Sequence, residues 1–344
     1  MVRAHTEKAV HIAELDGLRG LAALGVTLFH LRIFLAGASN PITSVPGGDW
    51  IVVKGWHLVD LFFVLSGFIF AHCYLHDGRM RQGVHLSKFT WARIARLLPV
   101  HVVIVCFTGF MLRHDPGTTG PNFLLSLVML HAFLPNMELL NPPVWSISVE
   151  LLCYTLFAIL AIKAGSRRFP FASIVLATIG AFLVLSETFP SIGRGLLGFF
   201  TGCLVQQNRD KLSRIHWSFL LLAVAPPFVL GAERQWLVVE SIISWPALLL
   251  LAPRVAAFRA SPLQWLGSRS YAIYLVHVPL FIFFGHLALD FPVLPTNLAI
   301  VICMTMVLLF ADILHRRVEL PMQAKLLDWR LKREHPRKEK LLKS

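Results

Sequence analysis

The amino-acid sequence predicts an all-α, polytopic membrane protein with about ten transmembrane helices and one further re-entrant or surface helix. The 344 residues are 56% hydrophobic and only 15% charged, and their mean hydropathy is +0.66. A water-soluble domain of this size is far more polar. Apolar runs long enough to cross a bilayer recur from one end of the chain to the other. Lysine and arginine collect between these runs, which is typical of helical membrane proteins.

Ten apolar runs are predicted to cross the membrane. They lie at about 18–37, 56–74, 97–113, 145–163, 171–188, 191–206, 217–231, 235–252, 271–289 and 296–315. One further run, 123–134, is about a dozen residues long, and Pro135, Pro142 and Pro143 follow it. This length is short for a span, and proline opposes continuation of a helix. We therefore expect 114–144 to be an outer loop that holds a re-entrant or surface helix.

The distribution of basic residues orients the chain. If 123–134 does not cross and the N-terminus is inside, 27 of the 32 lysines and arginines face the cytoplasm. If 123–134 did cross, the basic tail would lie outside, against the positive-inside rule. The sequence thus predicts a multi-pass protein of the inner (plasma) membrane with both termini cytoplasmic. We divide it into a membrane domain, 1–320, and a basic tail, 321–344, which either lies on anionic lipid as a helix or is simply solvated.

The first apolar run carries a histidine well inside the membrane. In LDGLRGLAALGVTLFH, residues 15–30, Arg19 and His30 are eleven positions apart and therefore share one stripe of a helix. Ionisable side chains inside a span are costly and usually face a protein interior or a wet cavity. His30 is thus a candidate catalytic residue, unless a neighbouring helix merely satisfies its ring. Asp60, near the outer end of the next run, is a candidate catalytic carboxylate, or alternatively the ion-pair partner of a cation such as Lys54.

Two arginines stand at the cytoplasmic end of the third span, in WARIARLLPVH. Arg93 and Arg96 are three residues apart and so lie on one helix face. Two guanidinium groups there suit a phosphate, which arginine binds with two parallel hydrogen bonds. The alternative is ordinary anchoring by basic residues at the cytoplasmic boundary.

Two polar stripes complete the set of candidates. In PPVWSISVELLCY, Glu150 lies about two turns into the membrane, and Ser146 is one turn before it on the same face. In LGSRSYAIYLVHVP, Tyr274 and His277 follow the spacing of a single helix face. A buried glutamate needs a partner, for which histidine is suited. The alternative for the second stripe is a packing face with satisfied hydroxyl groups.

Together these residues suit acyl transfer from an anionic carrier to a hydroxyl group. A neutral histidine takes the hydroxyl proton, while a carboxylate orients the ring and stabilises the imidazolium. No His/Cys cluster has the spacing of a metal site, and no glycine-rich phosphate loop follows a strand, so we expect neither a metal nor a permanently bound cofactor. The net charge of +13 reflects membrane topology and does not indicate nucleic-acid binding.

Five stretches strongly resemble, in order, the motifs of the acyltransferase 3 family of multi-span O-acyltransferases. They are LDGLRGLAALGVTLFH, VDLFFVLSGFIF, RIARLLP, VWSISVE and LGSRSYAIYLVHVP. The resemblance covers the chain to about residue 320. It implies an acyl-CoA donor, commonly acetyl-CoA, as co-substrate and a glycan or glycoside as acceptor. Some members carry a fused SGNH esterase-like domain, which we do not expect here because only about 30 residues follow the last span.

The resemblance also implies roles for individual residues. His30 corresponds to the essential histidine of the first span, Arg93 and Arg96 to the arginine pair of the third, and Glu150 to the acid after the WSxSxE pattern. Arg19 and Asp60 match the first two motifs.

Our prediction is that His30, Glu150 and Asp60 are catalytic. We expect Arg93, Arg96 and Arg19 to bind the acyl-CoA, and Ser146, Tyr274 and His277 to contact substrate. The sequence also leaves open whether the protein forms a homo-oligomer and whether it delivers the acyl group through a partner acyltransferase.

Two other classes of function compete with this interpretation. Buried ionisable residues also mark transport paths, so a transporter or flippase for a lipid-linked sugar is the main alternative. A structural subunit of an envelope assembly is the other alternative, and no motif in the sequence supports it. A histidine and a glutamate at similar depth favour the enzyme, because transport does not require them.

Overall fold

The computed structural model describes residues 11–34, 41–44, 47–75, 83–130, 133–134, 139–163, 165–290 and 295–342. Within these ranges the chain is helical, as the sequence predicts. The α-helices are α1 (Ala13–Phe34), α2 (Gly48–Lys54), α3 (Leu58–Tyr74), α4 (Gly83–Met111), α5 (Gly120–Leu127), α6 (Trp145–Lys163), α7 (Gly165–Leu185), α8 (Pro190–Gln207), α9 (Arg209–Leu212), α10 (Trp217–Val224), α11 (Pro226–Val229), α12 (Arg234–Val239), α13 (Trp245–Leu251), α14 (Ser261–Asp290), α15 (Thr296–Leu314) and α16 (Leu320–Leu342).

Shorter helical segments connect several of these helices. Two are π-helical, Glu240–Ser244 between α12 and α13 and His315–Glu319 between α15 and α16. The 3₁₀ segments are Pro41–Ser44, Gly55–His57, Pro142–Val144, Ala252–Arg254 and Ala256–Arg259.

Seven helical stretches of the described chain are long and apolar enough to cross a membrane, so the predicted count of about ten is not confirmed. They are Gly48–Tyr74, Leu86–Met111, Pro142–Lys163, Arg167–Leu185, Arg234–Arg254, Ser261–Gly285 and Asn297–Arg330. The described residues of the three other predicted spans are mostly helical, but these runs are more polar or shorter. The first turn of α1 contains the charged residues Glu14 and Asp16, and α8 contains Arg194. The run 217–231 is divided into the short helices α10 and α11.

The short run 123–134 contains only a brief helix. In α5, the Thr119 hydroxyl caps the first turn by accepting from the Asn122 N–H at 3.4 Å. Its eight residues extend about 12 Å at 1.5 Å per residue, which is too short to cross a bilayer. A β-carbon at Gly109 of α4 would lie 2.8 Å from the Phe123 ring, so α5 packs closely on α4. Residues 131–132 and 135–138 of the predicted outer loop are outside the described residues.

The chain divides into two compact units, and each is described by itself. Unit 1 comprises Met1–Ala22, His57–Met80 and Cys153–Ser268, and unit 2 comprises Ala23–Trp56, Arg81–Leu152 and Arg269–Ser344.

Unit 1 is built on the close packing of α3 and α7 against α8. Glycine permits this approach. A β-carbon at Gly67 would lie 1.8 Å from the Phe199 carbonyl oxygen, and one at Gly202 would lie 2.0 Å from the Val64 carbonyl oxygen. Because the two backbones meet directly, the polar side chains that α3 and α8 carry are held at short range.

Unit 2 is organised around α4, which contacts both α5 and α16. The rings of Trp91 on α4 and Trp329 on α16 meet edge to face, with their centroids 5.3 Å apart. The Tyr271 hydroxyl of α14 donates to the Leu97 carbonyl of α4 at 2.6 Å. The described part of the predicted basic tail, up to residue 342, is therefore helical and packs on α4 through its first part. The side chains of Arg333, Arg337, Lys338 and Lys340 are outside the described residues.

Candidate active site

The candidate site in unit 2 contains two histidines in contact. His30 lies on α1 and is half-buried, and His277 lies on α14 and is fully buried. His277 Nε2 is 3.2 Å from His30 Nδ1, and the ring centroids are 5.0 Å apart. The polar residues predicted separately on two helices thus come together, although 247 positions separate them in sequence.

Backbone carbonyls define the protonation of both rings. His277 Nδ1 is 3.1 Å from the Ile273 carbonyl oxygen, and His30 Nδ1 is 3.0 Å from the Val26 carbonyl oxygen. A carbonyl oxygen only accepts, so each Nδ1 carries a hydrogen. We assign these hydrogens from the hydrogen-bond network. In the neutral pair, His277 Nε2 is then an acceptor that faces the Nδ1–H of His30.

A second group of polar atoms lies beside His277. The Tyr274 and Ser146 hydroxyl oxygens are 2.8 Å apart, and both lie close to the Pro143 carbonyl oxygen, at 3.0 and 3.1 Å. Both side chains are buried. The Tyr274 ring centroid is 5.9 Å from that of His277. Ser146, Tyr274 and His277, which the sequence predicted as substrate contacts, therefore form one cluster with His30.

The turn before α6 is tied to α14 at this cluster. The buried Asn141 side chain donates from Nδ2 to the Leu275 carbonyl at 2.8 Å. Asn141 immediately precedes the 3₁₀ segment Pro142–Val144, whose Pro143 carbonyl accepts from the two hydroxyl groups. This connection positions Ser146 against Tyr274.

The arginine pair lies on α4 in the same unit. Arg93 and Arg96 are both half-buried. Among the described residues, Arg96 makes no hydrogen bond or ion pair. The neighbouring Leu97 carbonyl is bonded to Tyr271 of α14, six residues before His277. A charged group at a helix face without a described counter-ion is suited to an anionic ligand.

Glu150 lies on α6, one turn beyond Ser146, and its side chain is half-buried. It belongs to unit 2 with His30. The predicted contact between Glu150 and His30 stays a prediction.

The two remaining predicted residues lie in unit 1. Asp60 on α3 is completely buried and forms an ion pair at 2.8 Å with Arg194 of α8. Asp60 is therefore in an ion pair with a cation, which was the alternative interpretation of the sequence. The cation is Arg194, whereas the sequence suggested Lys54. Arg19 donates to Asp16 at 3.0 Å, one turn away on α1. The proposed roles of Asp60 in catalysis and Arg19 in donor binding stay predictions.

Comparison with known proteins bears on what this cluster does. A family model described as an acyltransferase domain, that of the acyltransferase 3 family, matches residues 12–316. The chain belongs to the acyltransferase 3 family. The match includes both histidines, the arginine pair and Glu150, and it confirms the resemblance that the five motifs indicated.

Relatives of this acyltransferase domain are named as O-acetyltransferases. The O-acetyltransferase OatA of Staphylococcus aureus strain NCTC 8325 / PS 47 is 24% identical over an alignment 366 residues long including gaps, which covers 92% of this chain and 58% of the relative. OatA of the strains COL and MRSA252 matches to the same extent. The chain therefore spans somewhat more than half the length of these relatives. No solved structure was found to match.

Sequence reasoning missed two buried polar pairs in unit 1 of the acyltransferase domain. One is the Arg194 partner of Asp60. The other joins His57 Nδ1 to Glu240 Oε2 at 2.8 Å, with both side chains fully buried. Arg194 and Glu240 each lie within a predicted span. Because an ionisable side chain inside a span usually pairs with another polar group, each of these residues indicates a buried partner.

Proposed function

We propose that this chain is a membrane O-acyltransferase that moves an acyl group, most simply acetyl, from acyl-CoA to a hydroxyl group of a glycan or glycoside. The observation that carries the proposal is the hydrogen-bonded His30–His277 pair within an acyltransferase domain. A half-buried imidazole with one nitrogen engaged is suited to act as a general base through the other. Family membership and relatives named as O-acetyltransferases support the same class of reaction.

The reaction is a single displacement at the thioester carbonyl. The acceptor hydroxyl oxygen attacks the carbonyl carbon while His30 removes the hydroxyl proton. The carbon–sulfur bond then breaks, and the CoA thiolate takes the proton from the His30 imidazolium. The products are an O-acyl ester and CoA, and the enzyme returns to its starting state. Glu150 supports the imidazolium by its negative charge, as the sequence predicted.

The donor is held by its phosphate groups. Arg93 and Arg96 lie on one face of α4, where their guanidinium groups provide the charged, forked donors that phosphate oxygens accept from. Ser146 and Tyr274 provide hydroxyl groups beside the histidine pair, where the acceptor sugar is placed.

The test uses the purified full chain in detergent micelles, acetyl-CoA labelled in the acetyl group, and a panel of glycan and glycoside acceptors. We expect CoA release that depends on the acceptor, with label recovered in a base-labile ester. The His30→Ala variant, at an equal protein amount, serves as the control. Acceptor-independent CoA release equal in both proteins would argue against the proposal.

A lipid-linked-sugar transporter is the alternative that the same preparation can reveal. Reconstituted into vesicles, a transporter would move a labelled lipid-linked sugar between leaflets without acetyl-CoA. Transport in the absence of any acyl transfer would replace the proposed function.

A further inference from the structure

We infer that His277 is the positioning residue of the catalytic histidine, and that Nε2 of His30 is the nitrogen that takes the acceptor proton. This inference rests on the proposed function and refines it. His277 then holds the His30 ring in its orientation, as the aspartate of a Ser-His-Asp triad holds its histidine, although His277 is a neutral imidazole, and Glu150 still contributes its negative charge.

The first step is the orientation of His277. Its ring is fully buried on α14, and its Nδ1 is directed at the Ile273 carbonyl of the preceding turn at 3.1 Å. Because that carbonyl only accepts, Nδ1 is the protonated nitrogen and Nε2 carries the lone pair. Phe281, whose ring centroid is 5.8 Å away, and Tyr274 flank the ring on the same helix and restrict its rotation.

The second step is the effect on His30. Two acceptors converge on its Nδ1, the Val26 carbonyl at 3.0 Å and His277 Nε2 at 3.2 Å. Both favour a hydrogen on Nδ1, so the basic lone pair of the neutral ring is on Nε2. A neutral histidine in solution favours the other tautomer, with the hydrogen on Nε2. The site therefore selects the tautomer that presents Nε2 as a base.

The third step concerns the charged intermediate. When Nε2 captures the proton, positive charge spreads to the Nδ1–H, and a hydrogen bond from a charged donor is stronger than one from a neutral donor. His277 thus contributes more in the transition state than in the ground state, which is the condition for lowering the barrier. Its loss should reduce kcat and leave the donor KM nearly unchanged.

The activity test compares three substitutions at one position in the full chain. Glutamine carries an oxygen near the place of Nε2, so His277→Gln should keep kcat within about tenfold. Asparagine is too short and leucine has no acceptor, so His277→Asn and His277→Leu should each lose on the order of 10²-fold. The control is His101→Gln, since His101 is also buried and bonded to a backbone carbonyl, that of Ser126 at 2.8 Å. It should retain wild-type kcat.

Equal losses in the glutamine, asparagine and leucine variants would show a packing role and overturn the inference. So would a full kcat in His277→Leu, or a loss that appears only in the donor KM. The double variant His30→Ala/His277→Leu should be no slower than His30→Ala, because the two residues act as a unit. An absence of transfer in the wild-type protein would instead refute the proposed function.

A spectroscopic measurement keeps the inference testable without any activity. Nitrogen NMR of the histidine-labelled protein, with the His30 signal identified by its loss in His30→Gln, reports which ring nitrogen carries the hydrogen. We expect the Nδ1–H tautomer for His30 at neutral pH. The Nε2–H tautomer would overturn the inference, whatever the enzyme's activity.

Discussion

Arg194 binds Asp60 through one edge of its guanidinium group, formed by Nε and Nη2. Nε donates to the two carboxylate oxygens at 3.0 and 3.2 Å, and Nη2 donates to Oδ2 at 2.8 Å. The carboxylate is fully buried, and 11% of the arginine side chain is exposed. This pair links α3 to α8 at the helix interface where the backbones already meet through glycine. The geometry favours a structural role for Asp60.

Breaking this pair should destabilise the protein more than it slows the reaction. Asp60→Asn leaves the Arg194 charge buried without its counter-ion, and loss of one partner of a buried pair costs about 3–5 kcal/mol. The double variant Asp60→Asn/Arg194→Gln should be less destabilised than the sum of the single changes. Thermal unfolding of the purified variants in micelles measures both effects. A stable Asp60→Asn protein without acyl transfer would instead support the catalytic role that the sequence predicted.

Removal of His30 should abolish most of the activity without loss of protein. His30→Ala and His30→Gln should each lose on the order of 10² to 10⁴ in rate, the usual contribution of a positioned base. Glu150→Gln should also be severely slowed, because it removes the charge that supports the imidazolium. Acceptor acylation in membranes with equal amounts of each variant is the measurement. Near-normal activity in His30→Gln would show that the base lies elsewhere.

Glu150 and His30 are predicted to act as a unit. The double variant His30→Ala/Glu150→Gln should therefore be little slower than His30→Ala alone. If the two losses multiply, the residues act independently.

Arg93→Ala and Arg96→Ala should weaken donor binding more than they slow chemistry. Each guanidinium donates charged hydrogen bonds, worth roughly 1.5–3 kcal/mol apiece, so the donor KM should rise by roughly tenfold or more. Lysine at either position should restore donor binding only in part, because its ammonium group cannot form the two parallel hydrogen bonds of a guanidinium group. Lys88→Ala provides the control, because Lys88 is an exposed basic residue on the same helix. An unchanged donor KM in folded protein would assign both arginines to membrane anchoring.

The topology can be tested with cysteine labelling. A cysteine introduced near Asn136 should react with a membrane-impermeant thiol reagent in intact cells, because 114–144 is predicted to be outside. One introduced near Ser344 should react only after lysis. The natural cysteines that the structure describes as exposed, Cys73 and Cys106, must first be replaced. Protection near Asn136 in intact cells would contradict the orientation that the basic residues predict.

The start of α1 should be sensitive to acid. Glu14, before the predicted span 18–37, forms an ion pair with Arg259. Burial acts to raise the pKa of Glu14, but hydrogen bonds from the backbone and Arg259 outweigh it and hold the pKa below its ordinary value of 4.5. The pair therefore stabilises the fold above pH 4.5, and this contribution is lost as the pH falls through the lowered pKa. Unfolding followed against pH should show less acid sensitivity for Glu14→Gln than for the wild type.

The sequence predicts what is local to a helix and misses what depends on which helices are neighbours. The spacing of Tyr274 and His277 places them on one face because a helix has a fixed period, and the structure confirms that alignment. The pairing of Asp60 with Arg194 crosses 134 positions, and no periodicity indicates it. The predicted count of about ten spans is not confirmed, since seven helical stretches of the described chain are long and apolar enough to cross a membrane. One of the other predicted spans, 191–206, contains Arg194, whose charge Asp60 of α3 compensates.

The contact between Trp91 and Trp329 has a practical consequence for handling the protein. Cutting the chain at residue 320, after which the sequence predicts the basic tail, would remove Trp329 and expose the ring of Trp91. The newly bare ring would lie on the helix that carries the arginine pair, two residues from Arg93. Shortened expression products should therefore be prone to aggregate and to displace the helix face that carries the arginine pair. Affinity tags belong beyond Ser344, separated by a linker, so that the C-terminal helix keeps its contact with Trp91.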